Sequence, residues 1–171
     1  MCALVKLDSS MEEEYKSYLQ EWKRNGEKIV PFSSCSGELT FSEYLAYLAQ
    51  SETEEGCPLG FVPAVTWFYV DETGRILGAI NFRTRLNDFL LQSGGHIGYG
   101  IRPSERRKGY AEKMLSLALK EVKKAGVSRV LITCDKENFG SAKTILKNNG
   151  ILENEIIADN QTIQRYWITC E

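Results

Sequence analysis

The densest positive charge in this 171-residue sequence lies in a short turn between a β-rich run and a long amphipathic stretch. The turn contains Arg106, Arg107 and Lys108, and the small residues Gly109 and Ala111 come directly after them. The first N–H groups of a helix have no partners within the helix, and they lie at the positive end of its dipole. Small residues at this point let a phosphate approach the backbone closely. The spacing therefore predicts a diphosphate site, with a solvated basic turn as the alternative.

Two nucleotide-binding motifs could also account for an anion site, and both fail on spacing. A P-loop requires the string G-x-x-x-x-G-K-[ST], which does not occur in the sequence. A dinucleotide fold requires G-x-G-x-x-G near its first strand. Gly98 and Gly100 lie within a predicted strand and lack the third glycine at the required offset.

The turn at Arg106–Ala111 resembles the signature of the GNAT acyltransferase superfamily, which is Gln or Arg, two residues, Gly, one residue, then Gly or Ala. Tyr99–Pro103 is similar to the fourth strand of that family, whose splayed end exposes its backbone. Leu131–Asp135 is similar to the fifth strand, and Asn138–Asn149 to the helix on the cofactor side. Together these segments extend over about half of the chain, roughly residues 76–157.

The resemblance implies acetyl-CoA as the co-substrate. No metal is expected, because the five cysteines are scattered and the sequence has a single histidine. The resemblance places the diphosphate on the helix start, a pantetheine amide against the backbone of Ile101, and Asn138 and Ser141 beside the pantetheine. The residues that it assigns to coenzyme A are Ile101, Arg102, Arg106, Arg107, Lys108, Gly109, Tyr110, Ala111, Asn138 and Ser141.

Acyl transfer to an amine needs a group that accepts the proton of the amine and, in many enzymes, an acid for the departing thiolate. His96 is the only histidine, and its ordinary pKa near 6.5 suits proton relay at neutral pH, so it is the candidate base. The alternative is a histidine that only forms a hydrogen bond at a strand start. Many members of the family have a tyrosine that acts as the acid for the thiolate, at the position where this sequence has Ile145. The acid is then Ser141, Tyr99 or Tyr166, or the thiolate leaves unprotonated.

On the acceptor side, Arg83 and Asn87 follow the predicted third strand and are candidates to line the amine pocket; a solvated hairpin end is the alternative. The resemblance implies an N-acetyltransferase that acts on a primary amine of a small molecule or peptide by direct attack in a ternary complex. A non-catalytic module that senses acyl-CoA through the same turn is the competing hypothesis.

Hydrophobic periodicity predicts the elements that must position these residues. The order is a short strand, two helices, a β-hairpin, and then β-α-β-α-β-β. This order indicates a mixed α/β (α+β) fold with a single, mostly antiparallel twisted sheet of about seven strands and about four helices. The predicted elements are strands at Ala3–Leu7, Val62–Val70, Ile76–Arg85, Gly95–Ile101, Val130–Thr133, Ile151–Ile157 and Thr162–Thr169, and helices at Met11–Asn25, Phe41–Ser51, Lys108–Lys124 and Ser141–Asn149.

The length fits one domain over residues 1–171, divided into an acceptor-side part (1–75), a cofactor-binding core (76–157) and a C-terminal strand (158–171). The net charge of −2 argues against a nucleic-acid partner, and no apolar stretch is long enough for a membrane. Five scattered cysteines without a secretory signal predict reduced thiols in the cytoplasm. The last predicted strand, Thr162–Thr169, would present an edge through which two copies could pair as a homodimer.

Overall fold

A computed structural model describes residues 1–170. Over these residues the fold contains seven β-strands and four α-helices. The strands are β1 (Ala3–Val5), β2 (Ala64–Val70), β3 (Ile76–Arg83), β4 (Ile97–Ile101), β5 (Arg129–Asp135), β6 (Ile151–Ala158) and β7 (Gln161–Thr169). The α-helices are α1 (Glu12–Arg24), α2 (Phe41–Gln50), α3 (Tyr110–Lys124) and α4 (Phe139–Lys147). Three short 3₁₀ turns and a π-turn at Leu90–Gly94 complete the structure. The mixed fold class and the strand count are confirmed.

The strands form two antiparallel sheets, where the sequence predicted one. The first sheet has the order β1-β2-β3-β4 and the second the order β5-β7-β6. Between them, the N–H of His96 donates to the carbonyl of Leu131 at 2.7 Å. The sequence could not distinguish one sheet from two, because the alternation of side chains is the same in both cases.

The second sheet also corrects the prediction about its edge. β7 pairs with β5 on one side and with β6 on the other, so Thr162–Thr169 lies in the middle of the sheet. β6 is the outer strand, and its Ile151 and Ile157 are exposed. The homodimer predicted from an unpaired last strand therefore loses its structural basis.

The first sheet is covered on both faces. Neighbouring residues in β2 point in opposite directions, so Phe68 packs with Tyr15 and Tyr18 of α1, whereas Tyr69 belongs to the core with α3. The aromatic cluster under α1 is closed by Tyr44 of α2, whose ring centroid lies 5.1 Å from that of Tyr15. The helices α1 and α2, in the segment predicted to lie on the acceptor side, are thus fixed against the first sheet.

A close backbone contact locates the connection between α1 and α2. Gly100 in β4 lies against the carbonyl of Val30, so a Cβ at this position would collide with that backbone. The chain around Val30 therefore crosses directly over β4. Over residues 1–170, no helix has both the length and the apolar character that a bilayer crossing requires.

Candidate functional site

The start of α3 presents a row of free backbone donors. Gly109 precedes the helix with a φ of 80°, and Arg107 has a φ of 62°, so two of three consecutive residues are left-handed. Among residues 1–170, the N–H groups of residues 107–111 donate to no protein acceptor. Gly109 is exposed, and a Cβ built on it would meet no atom within 4 Å. The helix start is therefore open to an anionic ligand.

The three basic side chains of the turn are in different situations. Arg106 donates to both carboxylate oxygens of Glu27, at 3.0 and 2.7 Å, and its guanidinium stacks over Trp22. Lys108 contacts Glu105 at 2.9 Å. Arg107 is exposed and contacts no carboxylate in the described chain. Arg107 is therefore the one basic side chain of this turn whose charge is not neutralised by a carboxylate and is available to a bound anion.

Arg102, which the resemblance assigns to coenzyme A, faces the protein interior. It is 2% exposed, and it donates to Glu21 and Glu14 at 2.6 Å each and to the hydroxyl of Ser17 at 2.8 Å. Burial alone would raise the pKa of Glu21, but the hydrogen bonds from Arg102 and Ser104 outweigh it and bring the pKa to about 2. The Arg102 side chain therefore joins β4 to α1, and its charge is not offered to a ligand.

The backbone of β4 faces the space between the two sheets. The N–H of Arg102 donates to Leu77 of β3 at 2.9 Å, and hydrogen-bonding direction alternates along an antiparallel strand. The N–H and C=O groups of Ile101 and Tyr99 consequently point away from β3. The carbonyl of Ile101 accepts from Nε of Arg106 at 3.2 Å. The Ile101 and Tyr99 N–H groups can serve an extended amide ligand.

Tyr99 and Ser141 meet across this space. Their hydroxyl oxygens are 2.9 Å apart, and either can be the donor. Burial raises the pKa of Tyr99 to about 12, so its hydroxyl keeps its proton at neutral pH. Asn138 begins α4, and its side-chain oxygen accepts from the N–H of Ser141 at 3.0 Å. Of the three candidate acids, Tyr166 is buried and donates to Gln164 instead.

His96 holds the two sheets together. It is 8% exposed, and its Nδ1 accepts a hydrogen bond from the N–H of Leu131 at 2.9 Å. In the neutral ring Nε2 then carries the proton, so no free lone pair remains to take one from an amine. Burial, with a contribution from the charge of Arg83, lowers the pKa of His96 to about 4. This geometry contradicts the prediction that His96 is the base.

Gly95 makes this junction possible. It has a φ of 65°, and a Cβ at this position would lie 2.7 Å from the carbonyl of Leu131. The π-turn before it ends with a hydrogen bond of 2.6 Å from Gly95 to Leu90. This turn was not predicted from the sequence, where the adjacent pair Gly94-Gly95 was the available signal.

A cavity of about 450 Å³ lies between β3 and α2. Arg83 and Asn87 both line it, together with aromatic side chains that include Phe32, Tyr47 and Phe61. The side chain of Asn87 donates to the carbonyl of Gly60 and accepts from the N–H of Leu90. Its amide has a second N–H, so its part in substrate binding stays a prediction.

Two further observations limit the chemistry. Cys134 is buried, and burial raises the pKa of its thiol, which does not favour a nucleophile. Across residues 1–170, no group of three or more His, Cys, Asp or Glu side chains is placed to hold a metal ion.

A second, shallower depression of about 590 Å³ lies between β1 and α3 and contains none of the predicted site residues.

Comparison with known proteins gives one family and many similar folds. The family model described as "Acetyltransferase (GNAT) domain" matches residues 8–150. No curated protein matches the chain.

Solved structures resemble the whole chain at low identity. An acetyltransferase from Salmonella typhimurium that modifies the N-terminal serine of ribosomal protein L7/L12 has a TM-score of 0.68 and 16% identity, covering 99% of this chain and 95% of its own. The microcin C7 self-immunity acetyltransferase MccE, solved with acetyl-CoA and AMP, has a TM-score of 0.65 and 18% identity, covering 98% and 92%. A spermidine N-acetyltransferase SpeG chimera from Vibrio cholerae and hSSAT has a TM-score of 0.65 and 13% identity, covering 98% and 95%. At these identities, the likeness establishes the fold.

Proposed function

The chain belongs to the GNAT acetyltransferase family, and on that premise we propose that it transfers an acetyl group from acetyl-CoA to a primary amine of a small molecule or peptide. The observation that carries this proposal is the row of N–H groups at the start of α3, which have no protein acceptor and face solvent. A diphosphate satisfies both the missing hydrogen bonds and the positive end of the helix dipole.

The residues that would hold acetyl-CoA follow the path from α3 to β4. The N–H groups of residues 107–111 and the side chain of Arg107 would bind the diphosphate. The outward N–H group of Ile101 would bind a pantetheine amide, with Ser141 on the opposite wall. When bound, acetyl-CoA supplies the acetyl group as an activated thioester. Support comes from the similar fold of MccE, which was solved with acetyl-CoA.

The reaction joins the amine nitrogen to the acetyl carbon, breaks the carbon–sulfur bond, and moves one proton from the amine to the sulfur or to solvent. Tyr99 and Ser141 are the hydroxyls that we assign as proton donor to the sulfur, because they meet in the space between the sheets and Tyr99 stays protonated. The N–H of Tyr99 is the candidate to stabilise negative charge on the carbonyl oxygen. The base role passes from His96 to solvent, since His96 has no free lone pair.

The acceptor environment favours a neutral amine. None of the residues that line the cavity beside β3 is Asp or Glu, so no carboxylate in its wall stabilises an ammonium ion. Burial in such a cavity lowers the pKa of an amine, because desolvation disfavours the charged form. The amine can therefore bind without being deprotonated first, and the proton that it loses when the N–C bond forms goes to solvent.

The test combines binding with turnover. Affinity for coenzyme A is measured by calorimetry, and release of coenzyme A from acetyl-CoA is followed across a panel of primary amines. Amine-dependent release supports the enzyme. Tight binding without release for any amine supports a non-catalytic sensor, and absence of binding contradicts both.

A further inference from the structure

Arg83 is a cation that lacks an anionic partner. Its Nη1 donates to the carbonyl of Gly94 at 3.1 Å and lies 3.5 Å from that of Gly95, and no carboxylate of residues 1–170 forms an ion pair with it. Five other arginines do contact a carboxylate: Arg75, Arg85, Arg102, Arg106 and Arg165. The rest, Arg24, Arg107 and Arg129, are exposed to water. Arg83 is half-buried, so its charge is solvated poorly and compensated by carbonyl dipoles alone.

The unused donors of Arg83 belong to the acceptor cavity. Nε and Nη2 make no hydrogen bond within the described chain, and the residue lines the cavity beside β3. Thr66 and Asn81, on the same wall, already bond to each other at 3.1 Å. Burial lowers the pKa of Arg83, and no carboxylate acts against that effect. The guanidinium is thus the cavity's one charged group among the described residues.

We infer that the acceptor is a small primary amine that carries a carboxylate, which binds the guanidinium of Arg83, and an apolar body, which packs against Phe32, Tyr47 and Phe61. This inference rests on the proposed function and specifies its substrate class. Arginine holds a carboxylate through paired, directional hydrogen bonds, and such a bond is stronger when it is shielded from water. A cavity of about 450 Å³ fits a compound of amino-acid size.

The position of Arg83 also places the acceptor against β4. Its Nη2 lies 3.2 Å from where a Cβ of Gly98 would stand, so the guanidinium covers that glycine in β4. Gly98 pairs with Asn81 of β3 and directly precedes Tyr99. Tyr99 turns its side chain to the opposite face, toward the core with α3, so an acceptor held by its carboxylate on Arg83 lies across β4 from the hydroxyls of Tyr99 and Ser141.

The charge of the cavity argues against polyamines. A polycation such as spermidine would meet an uncompensated guanidinium and no carboxylate, which costs free energy through like-charge repulsion. The fold similarity to a spermidine N-acetyltransferase therefore does not extend to the chemistry of this cavity.

The experiment compares amines that differ only in the carboxylate. Phenylalanine is paired with 2-phenylethylamine and leucine with 3-methylbutylamine; phenylalanine methyl ester keeps the shape without the charge, and spermidine is the polycation. We expect kcat/KM for each carboxylate to exceed that for its decarboxylated partner by roughly 10- to 100-fold, the range of one charge-assisted hydrogen-bond pair. Equal rates, or a preference for spermidine, would overturn the inference and leave the acetyltransferase proposal intact.

Variants connect the preference to one side chain. In Arg83→Gln we expect the ratio of kcat/KM for phenylalanine to that for 2-phenylethylamine to fall to within about 3-fold of unity. Arg83→Lys should retain part of this preference, because lysine keeps the charge but not the paired N–H donors of the guanidinium. Arg85→Gln is the matched control, since Arg85 is exposed, lies two residues away and pairs with Glu54. A ratio that survives in Arg83→Gln, or that collapses equally in Arg85→Gln, would contradict the assignment.

A binding measurement separates the inference from the proposed function. N-acetylphenylalanine and N-acetyl-2-phenylethylamine are titrated by calorimetry into the protein saturated with coenzyme A, which requires no turnover. Tighter binding of the carboxylate, lost in Arg83→Gln, supports the inference even if no amine is acetylated. Equal binding of both compounds refutes it whether or not the protein is an enzyme.

Discussion

The backbone N–H of Leu131 donates to Nδ1 of His96 across the junction of the two sheets, at 2.9 Å. The return bond runs from the N–H of His96 to the carbonyl of Leu131 at 2.7 Å, so the two residues are joined at both ends. An imidazole in this position acts as an acceptor that satisfies a buried amide. Its orientation fixes where β4 and β5 separate, and hence where the space between the sheets begins.

This role predicts that His96→Asn is tolerated, because the side-chain oxygen of asparagine can replace Nδ1 as the acceptor. We expect kcat/KM within about 3-fold of the wild type and an unchanged pH–rate profile from pH 6 to 9, since the wild-type His96, with a pKa of about 4, is already neutral there. His96→Ala should lower the free energy of unfolding by about 1–3 kcal/mol, because it leaves the Leu131 N–H unsatisfied.

Urea unfolding and initial rates across that pH range check both expectations. If His96→Asn lost activity by a factor of 100 or more while staying folded, His96 would be restored as a proton-transfer residue.

The pair Tyr99–Ser141 predicts a defect in the chemical step rather than in binding. Tyr99→Phe removes the hydroxyl that stays protonated, and we expect kcat to fall roughly 10- to 100-fold, within the range of general acid catalysis. Ser141→Ala should cause a smaller loss, because Tyr99 could still reach the sulfur. Affinity for coenzyme A should change little in either variant.

Tyr166→Phe is the control for these variants, since its hydroxyl donates to Gln164 and has no assigned part in catalysis. Steady-state kinetics and calorimetric binding of coenzyme A provide the measurements. An unchanged kcat in the double variant of Tyr99 and Ser141 would mean that the thiolate leaves without an acid from the protein.

The helix start and the space beside β4 could be predicted from sequence because their determinants are local. Gly109 precedes α3 and adopts a left-handed φ, which a glycine tolerates without strain, and the basic residues sit in the same turn. Helix propensity placed the start two residues early, at Lys108, because left-handed geometry at Gly109 delays the first helical turn. Asn138 likewise caps α4 through a contact three residues away.

Long-range pairing could not be predicted in this way. Arg102 contacts Glu14, 88 residues earlier, and Arg106 contacts Glu27, 79 residues earlier, so both appeared in the sequence as free charge beside the phosphate site. The same limit applies to His96, whose partner Leu131 is 35 residues away. Residue type and spacing indicated where charge is dense, but only the tertiary contacts determine which charge is left for a ligand.

The buried ion-pair cluster of Arg102 predicts a stability defect with a defined pH dependence. Arg102→Met would leave Glu14 without its cation and Glu21 with only the longer contact to Arg75 at 3.6 Å, and we expect a loss of about 3–5 kcal/mol in the free energy of unfolding at neutral pH. Glu21 has a pKa of about 2 in the folded protein against 4.5 ordinarily. A lowered carboxyl pKa contributes stability above the ordinary value, and that contribution is lost as the pH falls toward the folded one.

The difference between Arg102→Met and the wild type should therefore shrink as the pH drops from 5 to 3, which urea titrations at several pH values can follow. Lys16→Met is a suitable control, because Lys16 pairs with Glu12 and Glu13 on the exposed side of α1. A difference that stays constant over this range would mean that Arg102 acts through packing and not through its charge.

Gly109→Glu provides the sharpest test of the anion site, because α3 offers its own control at the opposite end. Gly109 and Gly126 flank the helix with φ values of 80° and 84°, and a Cβ at either position meets no atom within 4 Å. A glutamate at either position thus carries a similar backbone strain, of the order of 1 kcal/mol. Only the one at Gly109 places negative charge where a diphosphate would bind.

We expect Gly109→Glu to weaken coenzyme A binding roughly 100-fold or more, through like-charge repulsion and the bulk of the side chain, and Gly126→Glu to leave the affinity unchanged. Thermal unfolding verifies that both variants are folded, and calorimetry with coenzyme A gives the two dissociation constants. Equal affinities in the two variants would show that the exposed N–H groups at the start of α3 do not hold the diphosphate. The anion site would then have to be sought elsewhere, because Arg106 and Lys108 are already neutralised by Glu27 and Glu105 and Arg107 alone would remain.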